Sequence, residues 1–514
     1  MKYLLKTLSI ILLCGFISIT ASAQIRIYNI KHYGAVADGK TNNTTAIQKA
    51  IDEASAKGGG RVVFPTGKFV TGVLDIKSNV ELHLDKNAFL LGSAVRADYG
   101  AGKASALIVA NHQHHIAITG HGVIDGQGQD LLKDIYRRLN AGTLQDTEWR
   151  KPNPWHQMRP TEDNRPKLIE FKNCDDVQVK GIAIRHGLCW IENYKNCTNL
   201  VIDSIKVESN TYWNNDGIDI VDCKNVKLTN SFFNVADDGI CLKSEDPDGA
   251  CENVYVANCR VRSSASAVKL GTGSWGGFKK ITIKHISVYD TYRSAIAIET
   301  VDGGVLEDVD IRDIVAKNTG NAIVIRLGHR AQKRPAGVLR RVYIGNVKVD
   351  VPAGKPDAGY PMEGPVVDAP HNVFPSSVTG IPGSRVEDVT LENITINYAG
   401  GAKKAVANFA IDTLEKVPEK IPNYPEFSMF GELPAWGFYI RHADGVKIKN
   451  MVLTCKGTDY RPAFIADDVK ELSLNALNIP QVKTKPVILL NKVSGVVLKN
   501  IKIPGSAKQN IQVQ

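Results

Sequence analysis

The sequence predicts an all-β fold of one kind, a right-handed parallel β-helix, or solenoid, with an N-terminal capping helix. Three observations carry the prediction. Short alternating apolar runs return along the chain, among them Val177-Gln178-Val179, Val226-Lys227-Leu228, Val254-Tyr255-Val256 and Ile281-Thr282-Ile283. Period-two alternation marks strands with one buried face. The runs belong to an irregular internal repeat of 22 to 28 residues, with units beginning near Asn173, Asn196, Asp222, Ala250, Gly277 and Gly304 and continuing to Val493. Such a return length, with Asn and Gly turns and no helical periodicity between strands, describes stacked coils and not a βαβ design. Finally, five segments align in register: Asp216-Gly217-Ile218-Asp219-Ile220, Asp238-Gly239-Ile240-Cys241-Leu242, Ser266-Ala267-Val268-Lys269-Leu270, Ser294-Ala295-Ile296-Ala297-Ile298 and Asn321-Ala322-Ile323-Val324-Ile325. Ile218, Ile240, Val268, Ile296 and Ile323 then form an apolar interior column, on rungs about 4.8 Å apart. Lys243, Glu299 and Arg326 share one outward column; Asp219, Lys269 and Ala297 share another.

Taken in order, residues 1–23 read as a secretory signal peptide. Lys2 and Lys6 precede an apolar run from Leu8 to Ile19, and Ala21-Ser22-Ala23 offers a small-residue cleavage site. Leu13 stands before Cys14, where lipid attachment wants a small residue. The chain is therefore expected to be exported, to the periplasm or beyond. Residues 24–95 form the N-terminal cap and first coils. Thr45 and Gln48 make a capping-box pattern, Ala46, Ile47, Ala50, Ile51 and Ala54 lie on one helical face, and Gly58-Gly59-Gly60 ends the helix. Such a helix would cover the open end of the solenoid. Residues 96–514 form the β-helix, broken by two insertions. One runs from about Gly126 to Pro166 and contains Trp149 and Trp155. The other joins Asp350 to Pro382 with Ala405 to Trp436, and includes Tyr424-Pro425-Glu426-Phe427-Ser428-Met429-Phe430. Insertions of this kind flank a groove, where aromatics either stack on sugar rings or pack on the solenoid. No stretch after the leader is long and apolar enough to cross a bilayer.

The formal charge of +10 falls to +8 without the two leader lysines. That excess either attracts an acidic polymer or is an ordinary solvated surface. No basic run resembles a nucleic-acid arm. Of nine cysteines, Cys174, Cys197, Cys223 and Cys251 each stand in a Cys-x-x-(Val/Leu) frame. Equivalent positions on successive coils point to a ladder of free, buried thiols and not to disulfides. No Cys/His spacing calls for zinc, and no metal or cofactor is expected.

The chemistry concentrates in Asp216, Asp237 and Asp238. Asp216 and Asp238 are 22 residues apart in equivalent positions, hence rung neighbours, and Asp237 adjoins Asp238 at the turn. One turn aspartate is commonly structural, bonding to backbone amides. Three stacked on one face repel, so a function explains them better. Their pKa values must separate, giving one acid and one base, as glycosidic bond hydrolysis needs. A calcium site is the other use of clustered carboxylates.

At these residues the chain resembles the polygalacturonase family of glycoside hydrolases, family 28. Tyr33-Gly34-Ala35-Val36-Ala37-Asp38-Gly39, Gly120-His121-Gly122-Val123-Ile124-Asp125-Gly126, Arg165-Pro166-Lys167, Asn214-Asn215-Asp216 and Asp237-Asp238 are similar to its motifs, and the resemblance covers nearly all of the chain after the leader. It implies an inverting hydrolase in which Asp237 protonates the leaving oxygen while Asp216 and Asp238 activate water. That geometry separates acid and base by roughly 6.5–9.5 Å. Two departures alter the substrate expectation. Ala265-Ser266-Ala267 replaces the family's Gly-His-Gly, and Ala297-Ile298-Glu299 replaces Arg-Ile-Lys, whose cations bind uronate. Read as an anion, Glu299 repels galacturonate and favours a neutral sugar such as rhamnose at the cleavage point. Asn214, Lys269, Arg293, Glu299 and Arg326 are the expected substrate contacts. The expected partner is a pectic polysaccharide or oligosaccharide and the expected state a monomer. Polygalacturonase activity proper, a pectic lyase using calcium and a basic residue, and a non-catalytic glycan-binding β-helix are the competing functions.

Overall fold

The computed structural model describes residues 25–153, 158–210, 212–405 and 413–514. The predicted signal peptide, Cys14, Trp155 and part of the second insertion lie outside the described residues. Parallel strand pairing runs from Ile27–Asn29 to Ile511–Val513. The coils have three faces. Glu192–Lys195, Thr198–Asp203 and Lys206–Ser209 make one coil, and pair in parallel with Ile218–Val221, Lys224–Thr229 and Phe232–Val235 of the next. The fold is the right-handed parallel β-helix that the repeat implied.

The register follows the sequence. Ile218 pairs with Ile240, Ile240 with Val268, Val268 with Ile296 and Ile296 with Ile323, all fully buried or nearly so. Outside, Asp219, Cys241, Lys269 and Ala297 form one column, and Glu299 pairs with Arg326 in the other. At one corner Asn199, Asn225 and Asn253 sit at φ of 54° to 56°. Each amide donates to the side chain one coil below, Asn225 to Asn199 at 3.1 Å and Asn253 to Asn225 at 2.9 Å. Asparagine suits this corner because it tolerates the left-handed region and bonds along the stack.

All eight described cysteines are free and buried. Cys223 Sγ donates to the carbonyl oxygens of Tyr194 (3.2 Å) and Val221 (3.3 Å), and Cys251 Sγ to that of Ile220 (3.2 Å). The ladder fills the interior and satisfies carbonyls at a corner.

The N-terminal helix α1 spans Thr44–Ala56 and buries Ile47, Ala50, Ile51 and Ala54. The expected capping box does not form. The N-cap is Asn43, whose side chain accepts from Val36 N (2.7 Å) and donates to Val36 O (3.0 Å) and Thr41 O (2.7 Å). Gln48 turns away to exchange two 3.0 Å bonds with the Asp75 backbone. Docking the helix on the first coils outweighs local capping. The first insertion also departs from a plain loop. It contains a second helix, α2 (Gly128–Asn140), with Leu131, Leu132, Ile135 and Leu139 buried. Among the described residues no helix is long and apolar enough to cross a membrane.

Candidate active site

The site forms on the outward side of three rungs: β1 (Ile218–Val221), β2 (Ile240–Ser244) and β3 (Val268–Ser274). The turn entering each strand delivers Asp216, Asp238 and Ser266 in a stack. Gly217 N donates to Asp238 O (2.9 Å), and Gly239 N to Ser266 O (2.8 Å). Gly217 has to be glycine, since a Cβ there would lie 2.5 Å from Gly239 O. Asn215 is fully buried. It accepts from Ser209 Oγ (2.8 Å) and donates to Cys189 O (3.2 Å), which fixes the turn before Asp216.

Asp216 and Asp238 are buried and Asp237 is half-buried. Asp216, Asp238 and Cys241 offer ligand atoms within 4.8 Å of one another. Two ammonium groups already sit on these carboxylates. Lys243 donates to Asp216 (3.0 Å) and to Asp219, and Lys269 donates to Asp238 (2.9 Å). Charge compensation that a calcium ion would supply thus comes from the protein. Buried ion pairs of this kind need full hydrogen bonding to be tolerated. The Lys243 ammonium also lies 3.9 Å from the centre of the Trp190 ring. Lys269 gives a further bond to Tyr424 Oη (2.7 Å).

The environment separates the carboxyls. Burial, and then the charges of Asp216 and Asp238, push Asp237 up to about 7. Burial and Asp219 push Asp216 up to about 8, against the pull of Lys243. Burial also acts upward on Asp238, but Lys269, Arg293 and Lys243 outweigh it and hold the group below its ordinary range. Asp219, buried but bonded to Lys243, is pushed up to about 6. A half-buried carboxyl with a raised pKa therefore adjoins a buried one held below its ordinary range, the separation that acid–base hydrolysis requires.

The expected substrate contacts fare unevenly. Arg293 lies against the cluster, its charge acting on Asp237 and Asp238, and its Nη2 is 3.4 Å from Glu426. Lys269 is engaged by Asp238 and Tyr424 and is 2% exposed. Arg326 is turned away altogether. Its guanidinium donates to Gly380 O (2.8 Å), Glu419 O (2.7 Å) and Lys420 O (3.2 Å), tying the second insertion to the solenoid. Asn214 Oδ1 accepts from Arg159 Nη2 (2.8 Å) and Arg165 Nη2 (2.9 Å), so it organises the first insertion. Glu299 is 2% exposed, and its Oε2 has no hydrogen-bond partner. Burial pushes it up to about 8, with Lys269 opposing and Asp238 reinforcing. The shift is towards the neutral form, which weakens the repulsion that an ionised Glu299 would exert on a uronate. Sequence reading missed Lys243, Asp219, Trp190 and Tyr424 as parts of the site. The outward column already placed Asp219 and Lys243 beside the acids; Tyr424 arrives from 155 residues beyond Lys269 and left no local signal.

The family model of glycosyl hydrolases family 28 matches residues 56–414. The chain belongs to that family of glycoside hydrolases. It is 24% identical over 423 residues to a probable polygalacturonase of Vitis vinifera, covering 74% of this chain and 77% of the relative. It is 25% identical over 466 residues to an exo-poly-alpha-D-galacturonosidase of Dickeya chrysanthemi, covering 77% and 76%. Among solved structures, a hyperthermoactive exopolygalacturonase of Thermotoga maritima superposes with a TM-score of 0.57 at 22% identity, covering 84% of this chain and 92% of that one. A family 28 exopolygalacturonase of Yersinia enterocolitica gives 0.55 at 21% identity, covering 94% and 79%. Both share the fold.

Proposed function

We propose that the protein is an exported, inverting hydrolase of pectic polysaccharide or oligosaccharide. The observation that carries this is the split between Asp237 and Asp238 in a chain of family 28. Asp237, pushed up to about 7, donates its proton to the leaving glycosidic oxygen. Asp238, held ionised by Lys269, takes a proton from the attacking water, with Asp216 as its second holder. The pectic substrate is supported by the activities named for the relatives, which include an endo-xylogalacturonan hydrolase of Aspergillus tubingensis as well as the polygalacturonases. Export rests on the leader at residues 1–23. Following the anomeric proton of fresh product by NMR tests inversion; initial release of the retained anomer overturns it. Asp237→Asn is expected to lower kcat by about 10³-fold, within the range for a general acid, with KM changed only a few-fold. Unchanged kcat removes Asp237 from the acid role.

The sugar at the cleavage point is proposed to be neutral, with rhamnose the leading candidate. Ala297 and Glu299 stand where the family's Arg and Lys bind uronate. The cations facing the cluster are engaged by protein carboxylates: Lys243 by Asp216 and Asp219, Lys269 by Asp238, and Arg293 by Glu426. Polygalacturonase activity proper is the second reading. The raised pKa of buried Glu299 and the activities named for the relatives favour it. Assay on polygalacturonate and rhamnogalacturonan oligosaccharides decides between them, and turnover of the former alone removes the neutral-sugar reading.

A further inference from the structure

The second insertion builds something the catalytic cluster does not use. Its two halves leave a recess of about 630 Å³ between them. Val366, Val367, Phe374 and Phe430 give it an apolar lining, to which Asp368 and Glu432 add two carboxylates. Phe374 packs edge-on against Phe427 at 5.1 Å between ring centres, and Val366 remains 87% exposed at the mouth. The walls are held in place from behind. Buried Arg461 is paired with Asp459 and donates to Val373 O (2.7 Å) and Leu433 O (3.0 Å), one carbonyl from each half. The recess is thus formed before any ligand arrives, and its size suits a sugar or two.

Its position ties it to the candidate active site. Asn321, three rungs beyond Asp238 in the same column, donates to Phe374 O (3.3 Å). Three rungs are about 14 Å. The segment that supplies Phe430 and Glu432 also reaches back to the acids, through Tyr424 to Lys269 and Glu426 to Arg293. A glycan lying along the solenoid axis with a bond at the acids meets this recess a few sugar units further on.

Its chemistry selects among sugars. Among the described residues the lining holds two carboxylates and no cation. A uronate placed there meets like charge without compensation, an arrangement that rejects it. An uncharged ring with an apolar face meets aromatic and aliphatic surface instead. From this we infer that the recess is a subsite for an uncharged sugar of the pectic chain, and above all for a 6-deoxyhexose, which carries a methyl group where galacturonate carries its carboxylate. The inference rests on the pectic reading above and extends it beyond the cleavage point.

The test uses the full chain carrying Asp237→Asn, so that no ligand is turned over. Methyl α-L-rhamnopyranoside and methyl α-D-galactopyranosiduronate, its carboxylate free, are titrated separately by ligand-observed saturation-transfer NMR. The rhamnoside is expected to bind and the galacturonate not. Phe430→Ala is expected to weaken the rhamnoside at least five-fold, and Glu432→Lys to admit the galacturonate. Because Phe430 also faces the Arg326 guanidinium at 5.2 Å, the charge reversal at Glu432 serves as the variant that leaves that contact alone. Equal binding of both sugars, absence of rhamnoside binding, or rhamnoside binding indifferent to Phe430→Ala overturns the subsite. If the rhamnoside binds as expected while the unmutated protein cleaves no pectic oligosaccharide, the subsite stands and the hydrolase reading falls.

Discussion

Asp237 and Asp238 adjoin in sequence yet meet opposite surroundings, and the difference is made by Lys269. Its ammonium is 2.9 Å from Asp238 and supplies the largest of the effects that hold that carboxyl down. Lys269→Met is expected to raise the Asp238 pKa. Activity lost at pH 5 should then return towards pH 7, moving the acid limb of the pH–rate profile upward; an unmoved limb removes Lys269 from this role. With Asp237 as the proposed acid, the alkaline limb of the unmutated protein is expected to follow Asp237. The acid must be protonated to work, so kcat/KM should fall as pH rises through about 7. The acids themselves were legible in the sequence because they repeat at equivalent positions. Their modifiers were legible only in part. Asp219 and Lys243 share the outward columns with Glu299 and Lys269, whereas Trp190 and Tyr424 reach the site from turns and insertions that follow no period.

At the scale of elements, strands announce themselves by alternation, and insertions do not. The amphipathic pattern of α2 (Leu131, Leu132, Ile135, Leu139) was present but lay inside a segment that breaks the repeat, so tertiary packing, not pattern alone, defines it. The second insertion is held by two buried guanidiniums, Arg326 and Arg461, whose types in sequence look like surface cations or ligand contacts. Arg461→Ala leaves Asp459 buried without its partner and two carbonyls unbonded. The expected loss is about 3–5 kcal/mol of stability, with hydrogen exchange rising first at residues 371–374 and 431–434. Uniform protection there argues against the clamp. The cysteine ladder was read correctly from its frame. None of its thiols should react with a thiol reagent in the native protein, and all eight described cysteines should react after denaturation without reductant.

At the scale of the whole molecule, the interior column carries a buried carboxyl. Glu192 pairs with Ile169 on the preceding coil, inside the solenoid; its Oε2 accepts from Tyr194 Oη (2.6 Å) and its Oε1 has no partner. Burial pushes the carboxyl up to about 8. Unfolded, a glutamate titrates near 4.3. The folded state therefore holds a proton that the unfolded chain has lost between about pH 4.3 and 8. Stability is fullest below that window and falls through it, by about 1.4 kcal/mol per pH unit for one group. Glu192→Gln should match the unmutated protein in melting temperature at pH 4 and exceed it at pH 8. An equal gap at both values contradicts the assignment. Overall architecture was the most legible feature of all, because every coil repeats the same statement about which residues face inward.

The outward column that runs Asp219, Cys241, Lys269, Ala297 has a consequence for descent. Each coil contributes one letter to it, and changing a letter leaves the interior columns untouched. Substrate choice in such a scaffold can drift one coil at a time, without any intermediate sequence having to surrender the fold. A lineage that preserves the aspartate turns together with the lysines paired to them, Lys243 and Lys269, leaves the outward residues of the other coils free to be respelled for whichever glycan is at hand.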